Sequence, residues 1–203
     1  TKDSSSALSF FELSANQNCD LALVSLAFYY QEQEESDKLQ DVLKWLKAAA
    51  DQGWPLAQNN YAVALEPVDK VVAKKYSIMA ADKNQIYALI RMSALLSQGG
   101  SAGDAAKAYE YAHIGARGGA KDLQYMVAMY YMEGVGTNQD PELAIKYFKK
   151  AAAQDDIIAC KALGYIYKSI RQPCDLDAAL YYYELAYRLG DADASVDATQ
   201  IIL

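Results

Sequence analysis

Residues that interrupt helices, and residues that build catalytic sites, are both scarce in this chain of 203 residues. It contains four prolines and 11 glycines, so helices are rarely broken. It contains a single histidine, His113, and none of the motifs CxxC, HExxH or GxxxxGK. A metal site needs several convergent ligands, so a lone histidine beside alanines predicts a packing or surface residue. We expect no catalytic residue, no metal site and no cofactor, and hence no enzyme.

Cysteine is also rare, with Cys19, Cys160 and Cys174 in the whole chain. An odd number cannot pair completely within one molecule. A helix from residue 157 to about 170 would separate Cys160 from Cys174 by roughly 15–20 Å, at 1.5 Å per residue. A disulfide needs Cα atoms within about 7 Å. The sequence therefore predicts three free thiols.

The chain lacks both a positive charge excess and a long apolar run. Its formal net charge is -7, which disfavours nucleic acid and anionic membranes as partners. No run of 18 apolar residues occurs, so we expect no membrane insertion. The sequence begins TKDSSS, without an initiator Met or a signal-peptide pattern. Either a signal was removed or the N-terminus was shortened, and the sequence leaves both open.

Alanine, leucine and tyrosine are abundant, and their spacing is helical. The clearest stretch is residues 144–167, AIKYFKKAAAQDDIIACKALGYIY. It holds two amphipathic helical patterns on either side of a break at Asp155 and Asp156. Small residues on each helical face allow two helices to approach closely, and aromatic residues fill the space beside them. The stretch predicts the end of one helix and the start of the next.

This stretch is one copy of a repeat. Equivalent break positions recur at intervals of 35, 31, 35, 36 and 35 residues, and are occupied by Asn18, Gly53, Asn84, Gly119, Asp155 and Gly190. Gly, Asn and Asp tolerate the left-handed backbone that ends a helix. A period in this range is typical of solenoids of helical hairpins. We expect residues 1–203 to form a single repeat array.

The residue types around each break recur as well. An aromatic residue stands eight positions before every break, and small residues stand four and three before most of them. This register places Tyr182 in the core and leaves at least one neighbour in the Tyr181–Tyr183 run exposed. Loops are predicted at residues 99–103, 134–140 and 171–175, and Pro141 is expected near a helix start.

These residues resemble the Sel-1-like repeat family, which is related to the tetratricopeptide repeat. That family's unit has the pattern A..LG..Y..G, a loop, and A..WY.KAA..G. The first half is matched by Ala159, Leu163, Gly164 and Tyr167, and the second by Ala144, Tyr147, Phe148, Lys150, Ala151 and Ala152. The resemblance implies an all-α fold, a right-handed superhelical solenoid of antiparallel helix pairs, with about five pairs and partial units at both ends.

The resemblance also implies a class of function. It implies a non-catalytic scaffold or adaptor of bacterial type that binds another protein, whose identity the sequence does not give. The alternative is an immunity protein that binds and blocks a secreted toxin. A third reading is a β-lactam-binding hydrolase, but that branch has a cysteine pair in each repeat, which this chain lacks. A monomer is expected, in a periplasmic or secreted location rather than the cytoplasm.

The register predicts which side chains a partner would meet. In related repeats the first helix of each pair lines a concave groove. Positions six, ten and thirteen after each break lie between core positions, so their side chains should face this groove. The candidate protein-binding residues at these positions are Phe28, Asn59, Tyr125, Met129, Met132, Lys161, Tyr165 and Lys168.

Overall fold

The chain folds into consecutive α-helices. The computed structural model describes residues 29–30, 36–170 and 173–202, and within them every regular element is a helix. The helices are α1 (Ser36–Asp51), α2 (Pro55–Leu65), α3 (Lys70–Ala81), α4 (Ile86–Ser97), α5 (Ala102–Arg117), α6 (Lys121–Glu133), α7 (Pro141–Ala152), α8 (Ile157–Tyr165), α9 (Leu176–Arg188) and α10 (Ala194–Ile202). The predicted all-α fold of helix pairs is confirmed.

The helices form two compact units, Thr1–Met92 and Ser93–Leu203, and the boundary falls within α4. In the first unit α2 packs on α1 and α3. In the second, each helix from α5 to α10 packs on the next. We call the helix before each break a B helix (α1, α3, α5, α7, α9) and the helix after it an A helix (α2, α4, α6, α8, α10). Whether residues 1–203 form one array stays a prediction.

Short polar side chains define where several helices begin. Asp140 accepts a hydrogen bond from the backbone N–H of Leu143 at 2.9 Å, and Asp156 accepts one from Ala159 at 2.8 Å. Such N-caps satisfy backbone donors that have no partner inside the helix. Asp69, Ser101 and Asp175 cap α3, α5 and α9 in the same way.

The repeat register coincides with the buried residues. Fully buried small residues lie eleven positions before and four after the breaks, including Ala108, Ala144 and Ala179 on B helices and Ala57, Ala88 and Ala159 on A helices. Their size lets neighbouring helices approach closely, while Tyr111, Phe148 and Leu163 fill the space beside them. The core of each unit is therefore a seam of alanines flanked by large side chains.

Three details differ from the sequence predictions. The helix after Asp156 does not stay α-helical to residue 170, because α8 is followed by a π-helical turn, Ile166–Ile170. Gly103 lies inside α5 rather than in the preceding loop. In the Tyr181–Tyr183 run, the buried ring belongs to Tyr183, with 4% of its surface exposed, whereas Tyr182 is half-buried and stacks on Tyr167.

The break residues share one backbone conformation. The φ angle is positive at Gly53 (88°), Asn84 (61°), Gly119 (92°), Asp155 (59°) and Gly190 (112°). This left-handed conformation ends a helix and reverses the chain within a few residues. It explains why only Gly, Asn and Asp occupy these positions.

Two breaks are joined to the residue that precedes the next break. In the first unit, Lys83 donates from Nζ to the carbonyl of Gly53 at 2.5 Å. In the second unit, Gln154 donates from Nε2 to the carbonyl of Gly119 at 3.1 Å, and also to Oε1 of Gln124 at 2.9 Å. We call these hydrogen bonds the break-to-break links. They bind consecutive repeats by polar contacts as well as by the alanine seam.

A buried glutamine closes the end of the preceding B helix at the same two places. Gln58 donates to the carbonyl of Ala50 at 3.2 Å, and Gln124 donates to that of Ala116 at 3.4 Å. Both glutamines stand five residues after a break. Each amide gives a second donor to a carbonyl that already accepts from the N–H of the break glycine.

The loop between α6 and α7 packs closely on α5. Gly134 ends α6 with φ 75°, and Gly136 follows with φ 66°. A Cβ atom on Gly136 would overlap the backbone carbonyl of Ala105. Glycine is required here both by the conformation and by the close approach.

The two cysteines that the structure describes lie in different environments. Cys160 is buried and Cys174 is exposed, and both are free, while Cys19 lies outside the described residues. Burial raises the pKa of the Cys160 thiol to about 11.

Among the described helices, none is both long enough and apolar enough to span a membrane.

Candidate protein-binding surface

The predicted binding residues of the second unit lie on its A helices α6 and α8 and on the π-helical turn. We call this set the A-helix surface; it comprises Tyr125, Met129, Met132, Lys161, Tyr165 and Lys168. On α6 the buried positions are Leu123, Gln124, Val127, Ala128 and Tyr130, and on α8 they are Ala159, Cys160, Leu163 and Gly164. The predicted residues lie between these positions, so the core does not enclose them completely.

Tyr165 is the most prominent member of the surface. It occupies the last turn of α8, with 57% of its surface exposed. Burial raises the pKa of the neighbouring Tyr183, and the charge of Asp197 on α10 raises it further. Tyr165 thus presents a large aromatic ring to solvent beside an acidic side chain.

The two lysines beside Tyr165 are held by neighbouring groups. Lys161 Nζ forms an ion pair with Asp191 Oδ2 at 2.9 Å. The hydrogen bond that Lys161 donates to Asp191 is the largest cause of the raised Lys161 pKa, with smaller contributions from the charges of Asp193 and Asp197. Lys168 Nζ donates to Oε1 of Gln200 at 3.4 Å. Of the expected basic pair, Lys161 is therefore neutralised by Asp191, whereas Lys168 contacts a neutral amide.

The α6 part of the surface is less accessible. The Tyr125 ring packs on Phe148 with centroids 5.6 Å apart, and burial is the main cause of its raised pKa. The charge of Asp156, the N-cap of α8, contributes to the same shift. Met129 and Met132 are half-buried. These side chains offer edges rather than whole faces to a partner.

The other two predicted residues, Phe28 and Asn59, belong to the first unit. Phe28 lies outside the described residues. Asn59 on α2 is only 5% exposed, and its Oδ1 has no hydrogen-bond partner within the described structure. The expectation that Asn59 faces an open groove is not met, because Asn59 lies among the buried positions of α2.

A cluster of polar aromatic residues in the second unit escaped the sequence reasoning. It consists of Tyr109 and His113 on α5, Tyr131 on α6 and Tyr147 on α7. The Tyr109 and Tyr131 hydroxyls are 2.7 Å apart, and the Tyr147 hydroxyl lies 3.2 Å from His113 Nε2. The Tyr109 and His113 rings stack at 5.4 Å, and those of Tyr131 and Tyr147 stack at 5.9 Å. We call these four residues the tyrosine–histidine cluster.

The protonation states in this cluster follow from burial. Desolvation is the main cause that raises the pKa of Tyr109 and of Tyr147, so both hydroxyls stay protonated. Desolvation also lowers the pKa of His113, and the positive charges of Arg117 and Lys150 lower it further. A neutral imidazole among protonated hydroxyls is a hydrogen-bonded packing arrangement. A signal in the sequence existed: Tyr147 stands eight residues before one break, and His113 stands six before another.

Metal chemistry finds no support in the described part of the chain, where no group of three or more His, Cys, Asp or Glu side chains could hold an ion. The exposed thiol of Cys174 and the buried thiol of Cys160 lie in separate places on a loop and on α8. What the A-helix surface does offer is one exposed tyrosine, adaptable methionines and alternating charges.

Solved structures share this fold. A Sel1 repeat protein from Oxalobacter formigenes superposes with a TM-score of 0.72 at 26% identity, covering 93% of this chain and 80% of that chain. A Sel1 repeat protein from Klebsiella pneumoniae subsp. pneumoniae gives a TM-score of 0.56 at 20% identity, covering 97% and 99%; this second likeness concerns the fold alone. No curated protein matches the chain.

The family model agrees with the structural neighbours. The model for the Sel1 repeat matches residues 1–19, 43–54, 86–119, 122–156 and 157–191, which is more than half of the chain. The last three segments span α4–α5, α6–α7 and α8–α9, each an A helix followed by a B helix. The chain therefore belongs to the Sel1 repeat family.

Proposed function

We propose that the protein is a non-catalytic adaptor of bacterial type that binds a partner protein through the A-helix surface. Sel1 repeat proteins are in general scaffolds for protein–protein interaction. The observation that carries the proposal for this chain is the exposure of Tyr165, whose neighbours Leu163 and Gly164 on the same helix are buried. The fold does not need an exposed tyrosine there, whereas an interface uses one as an anchor.

The charges around Tyr165 indicate the kind of contact. Lys161 is paired with Asp191, and Asp193 and Asp197 lie near the same ammonium group. The surface is therefore an aromatic centre with a rim of both signs, which suits a partner that brings its own mixed charges. Rim charges contribute to specificity and association rate more than to affinity.

Tyr125, Met129 and Met132 complete the proposed contact as its half-buried edge. Methionine side chains adapt their shape to a partner at little cost. The packing of Tyr125 on Phe148 fixes its ring in advance, so less side-chain entropy is lost on binding. The immunity-protein role would use the same kind of surface. A toxin as captured partner, together with rescue of cells from that toxin, would identify that role.

The test compares two tyrosines of similar exposure in the same unit. Wild-type, Tyr165→Ala and Tyr181→Ala proteins are used as baits in the source organism, with mass spectrometry of the captured proteins. Tyr181 on α9 is 53% exposed and lies outside the A-helix surface, so it is the matched control. A partner retained by Tyr181→Ala and lost with Tyr165→Ala fits the proposal.

Calorimetry with the purified partner then gives the magnitude. Tyr165→Ala should weaken binding by about 1–3 kcal/mol, the range for an aromatic anchor, at an unchanged melting temperature. Lys168→Glu is a better charge probe than Lys161→Glu, because the second change also breaks the ion pair with Asp191. If Tyr181→Ala abolishes binding and Tyr165→Ala does not, the partner binds elsewhere.

A further inference from the structure

Two cations beside the tyrosine–histidine cluster lack a carboxylate partner. Arg117 stands one helical turn after His113 on α5, and the Lys150 ammonium lies 4.7 Å from the centre of the Tyr147 ring. The positive charges of both side chains lower the pKa of His113. Both side chains are exposed, and neither forms an ion pair with a carboxylate of the described residues. The two cations therefore form a local positive site beside the cluster, in a chain of net charge -7.

In the first unit, the side chains at the equivalent repeat positions pair with one another. Lys47 and Asp51 stand six and two residues before the break at Gly53, as His113 and Arg117 do before Gly119. There, Asp51 accepts a hydrogen bond from the Tyr76 hydroxyl at 2.6 Å and pairs with Lys47 at 2.6 Å. The carboxylate, the ammonium and the hydroxyl satisfy one another.

The second unit has the same hydroxyl without the carboxylate. Tyr147 stands eight residues before its break, as Tyr76 does, and its hydroxyl meets His113. Arg117 occupies the repeat position of Asp51, so a guanidinium stands where the first unit has a carboxylate. The carboxylate of Asp51 thus has no counterpart among these residues of the second unit. The guanidinium of Arg117 forms no ion pair with a described carboxylate, and its geometry suits a bidentate contact with a carboxylate from outside.

We propose that Arg117, Lys150 and the His113–Tyr147 pair bind an acidic segment of a partner protein, through its Asp or Glu side chains. A short segment needs only this local positive site. A nucleic acid or an anionic membrane would extend over the rest of a chain with charge -7 and be repelled by it.

Placement near helix ends gives these cations a competing, structural role. Arg117 and Lys150 lie in the last turns of α5 and α7, where positive charges interact favourably with the helix dipole. That role predicts a change of stability on mutation and no binding of acidic peptides. The experiment must therefore measure binding and stability separately.

The binding experiment uses a fluorescein-labelled oligoglutamate peptide and fluorescence anisotropy at low ionic strength. Arg117→Asp, which reproduces the residue type of Asp51, and Lys150→Gln should each weaken binding about tenfold, the loss of one charge-assisted contact. The matched control is Arg188→Asp. Arg188 is also exposed, also stands two residues before a break, and lies in the last turn of α9, so its variant should bind like wild type. Circular dichroism verifies that all three variants are folded.

A second readout needs no variant. His113 is the only histidine of the chain, so its imidazole can be followed alone by NMR as the pH changes. A bound carboxylate favours the imidazolium form, so saturating peptide should raise the pKa of His113. An unchanged His113 titration, or equal weakening by Arg117→Asp and Arg188→Asp, overturns the proposal. Stronger binding of a single-stranded oligonucleotide or of phosphatidylserine vesicles than of the peptide overturns it as well.

Discussion

Gly164 provides the sharpest test of the packing, because its space is defined on one side by a single ring. A Cβ atom added to Gly164 would lie 2.8 Å from Cε1 of Tyr183, and 2.9 Å from both Cδ1 and Cζ. Carbon atoms pack comfortably at about 3.5–4.0 Å, so in Gly164→Ala the ring must retreat by roughly 0.7 Å. Tyr183 is only 4% exposed, and its ring has little space into which it can move.

The magnitude follows from two opposing effects. Overpacking a well-filled core costs about 1–3 kcal/mol, and replacing glycine by alanine inside a helix returns about 1 kcal/mol. Gly103→Ala in α5 is the matched control. A Cβ there meets only Ser101 Oγ, at 4.0 Å, so it receives the helical gain without the clash. Relative to this control, Gly164→Ala should lose about 1–3 kcal/mol of unfolding free energy, and Gly164→Leu should lose more.

Thermal and urea unfolding followed by circular dichroism measure the difference. One kcal/mol shifts the melting temperature by about 2–4 °C in a protein of this size, so Gly164→Ala should melt roughly 2–12 °C below Gly103→Ala. Tyr183→Leu removes the ring atoms Cε1 and Cζ. In that background Gly164→Ala should be tolerated, with a coupling energy of about 1 kcal/mol or more. A Gly164→Ala variant as stable as the control, with no coupling to Tyr183, would refute the close crossing of α8 and α9.

Three further predictions concern single residues. In the folded protein Cys174 should react with a thiol reagent much faster than Cys160, because Cys160 is buried and its pKa is raised to about 11; denatured, non-reduced protein should titrate three thiols. Since the pKa of His113 is lowered in the folded state, stability should be constant above the unfolded pKa of about 6.5 and fall as the pH drops below it; urea midpoints should show this loss in wild type and not in His113→Gln. Gly136→Ala should lower the melting temperature more than Gly100→Ala, because both have positive φ but only Gly136 meets a backbone carbonyl of α5; equal losses would contradict the close loop packing.

Periodicity explains why so much of the fold was predictable. The breaks, the alanine seam and the start of α7 at Pro141 all follow from residue types that recur at a fixed interval. The π-helical turn after Tyr165 does not follow, because it leaves the side-chain pattern helical and changes only the backbone pairing. The placement of Tyr183 rather than Tyr182 in the core depends on its meeting with Gly164, a contact that no repeat average contains.

The exposure of the candidate residues was predictable in part, and their electrostatics less so. Spacing between core positions places Tyr165 correctly in an exposed position of an A helix. It gives no sign that Lys161 pairs with Asp191, since the two are 30 residues apart in sequence and meet only when α8 and the loop before α10 are folded. Asn59 shows the opposite limit: a polar residue at a position expected to be open is buried by its neighbours.

The break-to-break links give each array of repeats a direction. At Gly53 and Gly119 a repeat offers the carbonyl of its break residue to its successor, and the successor supplies the donor, Lys83 and Gln154 respectively. The two ends of such an array are therefore chemically unlike. Removing a successor leaves a carbonyl, and in the case of Gln124 a buried amide oxygen, without its donor, whereas removing a predecessor frees a flexible polar side chain that water can solvate. Shortening these repeats from the C-terminal side should thus cost more than shortening them from the N-terminal side, and duplication of a whole unit carries both halves of the link with it.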